Sequence, residues 1–192
     1  MIHNVFLTGP TRQGKTTILK EVLTPYERTL GGFAIQRLNR QGITYAFRLL
    51  NLLEEQYEPE IEGDQEYDDI VIHGKGPGVW QASLHVFNDK GVQALLQALN
   101  KKSYPVIMDE LGVFEEQALP FQQAVFTLLR SPLPVLGVIK NKKSHFLDTI
   151  RNHEQSHVLP YTSRKRQSIK QALLIYLKEG MWNPSCNGHS VE

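Results

Sequence analysis

The chain has 192 residues, 41% of them hydrophobic and 21% charged, with a formal net charge of +1. This balance fits one ordinary globular domain with a sizeable core and argues against a fibrous or disordered chain. No apolar run approaches a membrane span and the start lacks a signal-peptide pattern. Cys186 is the only cysteine, which excludes an intrachain disulfide, so a cytoplasmic location is expected.

In chain order, residues 3–8 read as a short buried strand and residues 17–23 as a helix. Between them, Gly9, Pro10, Thr11, Arg12, Gln13, Gly14, Lys15 and Thr16 match G-x-x-x-x-G-K-[ST], in the strand–loop–helix setting the motif requires. The residue types explain the chemistry. Gly9 and Gly14 let the backbone curl so that successive N–H groups face inward at a helix N-terminus, a cradle for anions. Lys15 brings a compact positive charge to the β- and γ-phosphates, and Thr16 offers a hydroxyl to a phosphate-bound Mg²⁺. The predicted nucleotide contacts run from Gly9 to Thr17. Arg12 has two open readings, a phosphate contact or a solvated side chain.

Residues 32–38 and 44–50 read as a hairpin turning at Asn39–Gly42. Residues 54–69 hold nine acidic residues and no basic ones, which leaves 21 basic against 11 acidic elsewhere, or +10. Such an excess suits a polyphosphate ligand; the acidic stretch reads as a solvated loop or insertion. Residues 69–73 form a candidate strand, the glycines at 74–78 a turn, and Asn88 a candidate cap for a helix carrying Val92, Leu95, Leu96 and Leu99. Strands at 105–108 and 135–139, helices at 121–130 and 168–179, and a stop at Gly180 complete an alternating α/β pattern with a largely parallel sheet. One domain is expected over residues 1–182, with a polar, disordered tail at 183–192.

The apolar strand before Asp109 and Glu110 supplies the second half of a phosphate site. Asp109 is the candidate support for the Mg²⁺ that Thr16 would also meet. Glu110 is the candidate general base for an attacking water, and Lys15 and Glu110 are the two predicted catalytic residues.

With these segments in view, the chain resembles the THEP1-like, or cancer-related, nucleoside-triphosphatases. The resemblance rests on the strand and glycine loop through Thr17, on Gly32-Phe33, on Asp109-Glu110-Leu111-Gly112 with Glu115, on Gly137, and on Thr162 and Arg166. It implies a RecA-like P-loop domain, a three-layer α/β/α sandwich, and Mg²⁺-dependent hydrolysis of ATP, GTP and other nucleoside triphosphates. The chain departs from the family pattern at Val113, where a lysine is usual. It departs again at Ile35-Gln36-Arg37, where Thr-x-Glu is usual, and in the loop residues Thr11-Arg12-Gln13.

Several other readings compete. His153-Glu154-Gln155-Ser156-His157 formally matches a zinc-protease signature, which needs a helix; the proline at 160 argues against one, so surface histidines are expected. Asn141-Lys142-Lys143-Ser144 lacks the carboxylate that would read guanine. Arg130, Arg151, Arg164 and Arg166 are candidates for stabilising charge on the γ-phosphate. A nucleotide or small-molecule kinase using the same loop is the alternative function, and a non-catalytic ATP-binding switch the third. No nucleic-acid motif is present, so nucleic acid and membrane are not expected partners, and a monomer is expected.

Overall fold

A computed structural model describes residues 2–76 and 78–183. Its elements run β1 (Asn4–Thr8), α1 (Lys15–Leu23), β2 (Gly31–Arg40), β3 (Ile43–Asn51), β4 (Glu60–Glu62), β5 (Ile70–Gly76), β6 (Val79–Ala82) and α2 (Leu84–Val86). They continue through α3 (Val92–Lys101), β7 (Val106–Leu111), α4 (Leu119–Leu129), β8 (Val135–Ile139), α5 (His145–Arg151), β9 (Ser156–Pro160) and α6 (Arg166–Glu179). Cys186 and all of the expected tail beyond Asn183 lie outside the described residues.

The sheet order is β6-β5-β3-β2-β7-β8-β1-β9, with β4 pairing on β2. From β2 to β9 the pairs are parallel, and from β2 outward through β3, β5 and β6 they are antiparallel. The expected hairpin is therefore extended by two further strands. The central strands read as continuous apolar runs because both faces are covered. Successive residues alternate between two cores: Phe6, Val106, Met108 and Val135 face α3, α4 and α5, whereas Val5, Leu7, Ile107 and Leu136 face α1 and α6. Helices on both faces of a mostly parallel sheet give the three-layer α/β/α arrangement.

Two local expectations are corrected. Asn88 does not cap the helix of its own segment, which begins at α2, where the Ser83 hydroxyl accepts the Val86 N–H at 3.4 Å. The segment then passes through a wider π-helical turn, Phe87–Gly91, into α3, and the Asn88 side chain accepts the Phe121 N–H instead. The acidic stretch is more than a solvated loop. Glu55 and Asp69 both pair with Arg48 and Lys90 in a largely buried cluster, and β4 adds to β2. The Arg48 and Lys90 charges hold the Asp69 carboxyl below its usual range despite its burial.

The strand β2 parts from β7 at Ala34 and Asp109 and runs on to Arg40 as a hairpin with β3. That extension stands over the carboxyl ends of the parallel strands, the edge where ligands bind in α/β sheets.

Candidate functional site

The loop after β1 closes as its sequence requires. Gly9 has φ 146°, and a Cβ there would meet the Tyr161 carbonyl oxygen at 2.5 Å, so only glycine fits this approach. Gly14, at φ 92°, caps α1 in the left-handed region, and its carbonyl accepts the Ile18 N–H at 3.0 Å. Arg12 at φ 60° makes the third left-handed turn of the loop. The Lys15 ammonium folds into the loop and donates to the Gly9 and Pro10 carbonyls at 3.0 and 2.7 Å. Burial lowers its pKa, while Glu110 and Asp109 act to raise it.

Asp109, at 2% exposure, stands across from this loop on β7. Its Oδ1 accepts the Thr16 hydroxyl at 3.4 Å, and its Oδ2 accepts the Tyr57 hydroxyl at 2.5 Å. Burial raises the Asp109 carboxyl to about 7, with Glu110 adding to the rise, against the hydrogen bonds from Tyr57 and Thr16 and the charge of Lys15. Tyr57, itself buried, is raised well above its ordinary range by burial and by the Asp109 charge. Glu110 follows through a cis peptide, its carboxylate 3.4 Å from the Lys140 ammonium at the end of β8. Two residues on from Glu110, the Gly112 N–H donates to Glu115 Oε2 at 3.1 Å, and burial raises this carboxyl to about 7. Glu115 thus shapes the turn after β7.

An open cleft of ≈ 320 Å³ runs between the loop and the β2–β3 hairpin, lined by Thr11, Arg12, Gly14 to Thr17, Asp109 and Glu110. Gln13 is exposed and does not line it, nor do Gly9 and Pro10, whose carbonyls hold the Lys15 ammonium. The donor set fits Mg²⁺, because the Thr16 hydroxyl and the Asp109 carboxylate are neighbouring hard oxygens. A buried carboxylate raised this far is also a charge that a divalent ion would compensate.

Tyr57 is the site residue that sequence reasoning missed. It sits in the acidic stretch 52 residues before its partner, with no local spacing to announce it. The arginines named from sequence are not among the residues that line the cleft, although the Arg166 guanidinium stands beside the loop, 3.5 Å from where a Cβ on Gly14 would lie. Arg151 is held by Asp148 and by the Lys140 and Lys142 carbonyls, Arg166 pairs with Glu21 beside Tyr161, and Arg130 and Arg164 are exposed. The two histidines of the zinc-protease match are not on one helix. Helix α5 ends at Arg151, His153 follows it, and His157 lies on β9, stacked on Trp182 at 5.0 Å. Ser144 caps α5, accepting the Leu147 N–H at 3.2 Å, which accounts for a serine in that loop.

A glycine loop at the start of α1, facing an acid pair at the end of a strand two places away in the sheet, defines a P-loop nucleotide-binding protein. Comparison narrows the class. The family model described as NTPase matches residues 4–174, and the chain belongs to that family. A cancer-related nucleoside-triphosphatase homolog from Mus musculus is 30% identical over 182 residues, covering 88% of this chain and 93% of its own length. The nucleoside-triphosphatase THEP1 of Thermotoga petrophila is 26% identical, covering 91% and 92%. The solution structure of a human cancer-related nucleoside triphosphatase shares the fold, with a TM-score of 0.69 at 23% identity over 92% of this chain and 98% of that one. No helix among the described residues is long and apolar enough to cross a membrane.

Proposed function

We propose that this chain is a Mg²⁺-dependent nucleoside triphosphatase that cleaves the β–γ phosphoanhydride by attack of water. The observation that carries the reading is the convergence of Lys15, Thr16, Asp109 and Glu110 on one cleft. Backbone N–H groups of residues 9–17 receive the phosphates, and Lys15 exchanges the Gly9 and Pro10 carbonyls for phosphate oxygens. Thr16 and Asp109 would hold the metal, with the Tyr57 hydroxyl fixing the Asp109 carboxylate through Oδ2. The Mg²⁺ these residues would hold would supply neutralisation of phosphate charge. Glu110, steadied by Lys140, accepts the proton of the attacking water as its oxygen bonds to phosphorus and the nucleoside diphosphate leaves.

Membership of a family whose relatives are named nucleoside-triphosphatases supports transfer to water over transfer to an acceptor. A monomeric enzyme in the cytoplasm completes the proposal, the location being in keeping with the single cysteine. The test is phosphate release from each common triphosphate with and without Mg²⁺. Glu110→Gln is expected to keep nucleotide binding and lose about 10²- to 10⁴-fold in turnover. Lys15→Ala is expected to weaken binding and turnover together. Unchanged turnover in Glu110→Gln removes that residue from the reaction, and phosphate that appears only on an added acceptor refutes hydrolysis.

A further inference from the structure

We propose that Arg37, on the β2 extension, is the arginine that contacts the terminal phosphate and stabilises its charge during hydrolysis. The inference rests on the reading of the cleft as the triphosphate site. A loose phosphoryl-transfer transition state spreads negative charge over the γ-oxygens, and a preorganised guanidinium there is a recurrent device. None of the four arginines named from sequence lines the cleft, and Arg166, which stands beside Gly14, is engaged by Glu21.

Two arginines line it, Arg12 and Arg37. Arg12 is an exposed residue at the tip of the loop. Arg37 is mounted on a paired strand, three residues beyond Ala34, whose register partner is Asp109. At ~3.3 Å per residue this sets its Cα roughly 10 Å past the acid pair, over the mouth of the cleft. From there its side chain lines the same cleft as Lys15, with the length to meet a phosphate held by the loop.

Its present contacts are weak. The Arg37 guanidinium lies 5.9 Å from the Phe47 ring centroid, which braces it from one side. Its ion partner Glu60 is 3.8 Å away and has a side chain 61% exposed, against 30% for Arg37. Such a pair is cheap to exchange for a phosphate. The Arg37 Nε is buried and has no hydrogen-bond partner among the described residues. With a weak ion pair and no hydrogen bond at Nε, the guanidinium is not committed to any acceptor of the chain and is free to turn to one that enters the cleft.

The test uses the full-length protein with Arg37→Ala, Arg37→Lys and Glu60→Ala. Single-turnover phosphate release is measured, together with binding of a fluorescent nucleoside diphosphate in Mg²⁺, with and without aluminium fluoride. Arg37→Ala is expected to lose about 10²- to 10³-fold in turnover. Its diphosphate affinity should stay within about twofold of wild type, and aluminium fluoride should no longer tighten binding. Arg37→Lys should recover only part of the rate, because an ammonium cannot reproduce the planar fork, and added guanidinium should restore turnover to the alanine variant alone. Wild-type turnover in Arg37→Ala overturns the proposal. So does an equal loss in Glu60→Ala, which would make the ion pair the important element. If the alanine variant fails to fold, Arg37→Lys decides, and full activity there refutes the proposal. Wild-type protein that releases no phosphate refutes the underlying site reading instead.

Discussion

Tyr57→Phe isolates one hydrogen bond at the centre of the proposed metal site. The substitution keeps the ring that fills its buried position and removes only the hydroxyl 2.5 Å from Asp109 Oδ2. A hydrogen bond to a charged acceptor contributes about 1.5–3 kcal/mol, and here the acceptor is a carboxylate already strained towards its neutral form by burial. Losing the donor therefore disfavours the ionised Asp109 that a metal requires, by roughly 10- to 150-fold in an equilibrium constant if the whole bond is forfeited. The half-saturating Mg²⁺ concentration for hydrolysis should rise at least tenfold, and Mn²⁺ titrated calorimetrically into the nucleotide complex should bind correspondingly more weakly. Diphosphate binding without metal should change little. Metal affinity that is unchanged, or tighter because the hydroxyl had been competing for Oδ2, would refute the reasoning.

Two further outcomes follow from the same geometry. Glu115 is a buried acid whose folded pKa, about 7, exceeds its unfolded value, so the folded state holds the extra proton between about pH 4.5 and 7. Its contribution to stability is therefore full below pH 4.5 and lost as pH rises through 7. Glu115→Gln keeps an acceptor for the Gly112 N–H and should flatten the fall in stability across that window by up to about 3 kcal/mol, read by denaturant titration at several pH values. An unaltered pH profile would show that Glu115 does not titrate there. Gly9→Ala places a methyl group at 2.5 Å from the Tyr161 carbonyl, which the Thr8–Tyr161 backbone pairing holds in place. Nucleotide binding should be lost and the melting temperature should fall by about 5 °C or more; near-normal binding would show that the loop can yield.

The glycine loop, its flanking strand and helix, and the Asp109-Glu110 pair were legible because each is a local pattern. The loop needs glycines at fixed spacing, and an acid pair ending an apolar run falls at the edge of a parallel sheet wherever that strand is placed. Helix α6 and its stop at Gly180, left-handed at φ 72°, were legible for the same reason. Strand order was not, since the placement of β8 between β1 and β7 depends on which faces two separate helix layers cover. Nor was the acidic stretch. Its composition announces solvation, yet Arg48 on β3 and Lys90 before α3 neutralise Glu55 and Asp69, and the same folded stretch carries Tyr57 to Asp109.

By itself the sequence determined the phosphate cradle and the chemistry available to it, because those depend on residues a few positions apart. Only the tertiary structure decided which tyrosine holds the aspartate and which arginine overlooks the cleft. Both come from the segment between Gly31 and Asp69, and their distances from the loop are set by strand pairing and charge neutralisation across the sheet, which no spacing along the chain encodes.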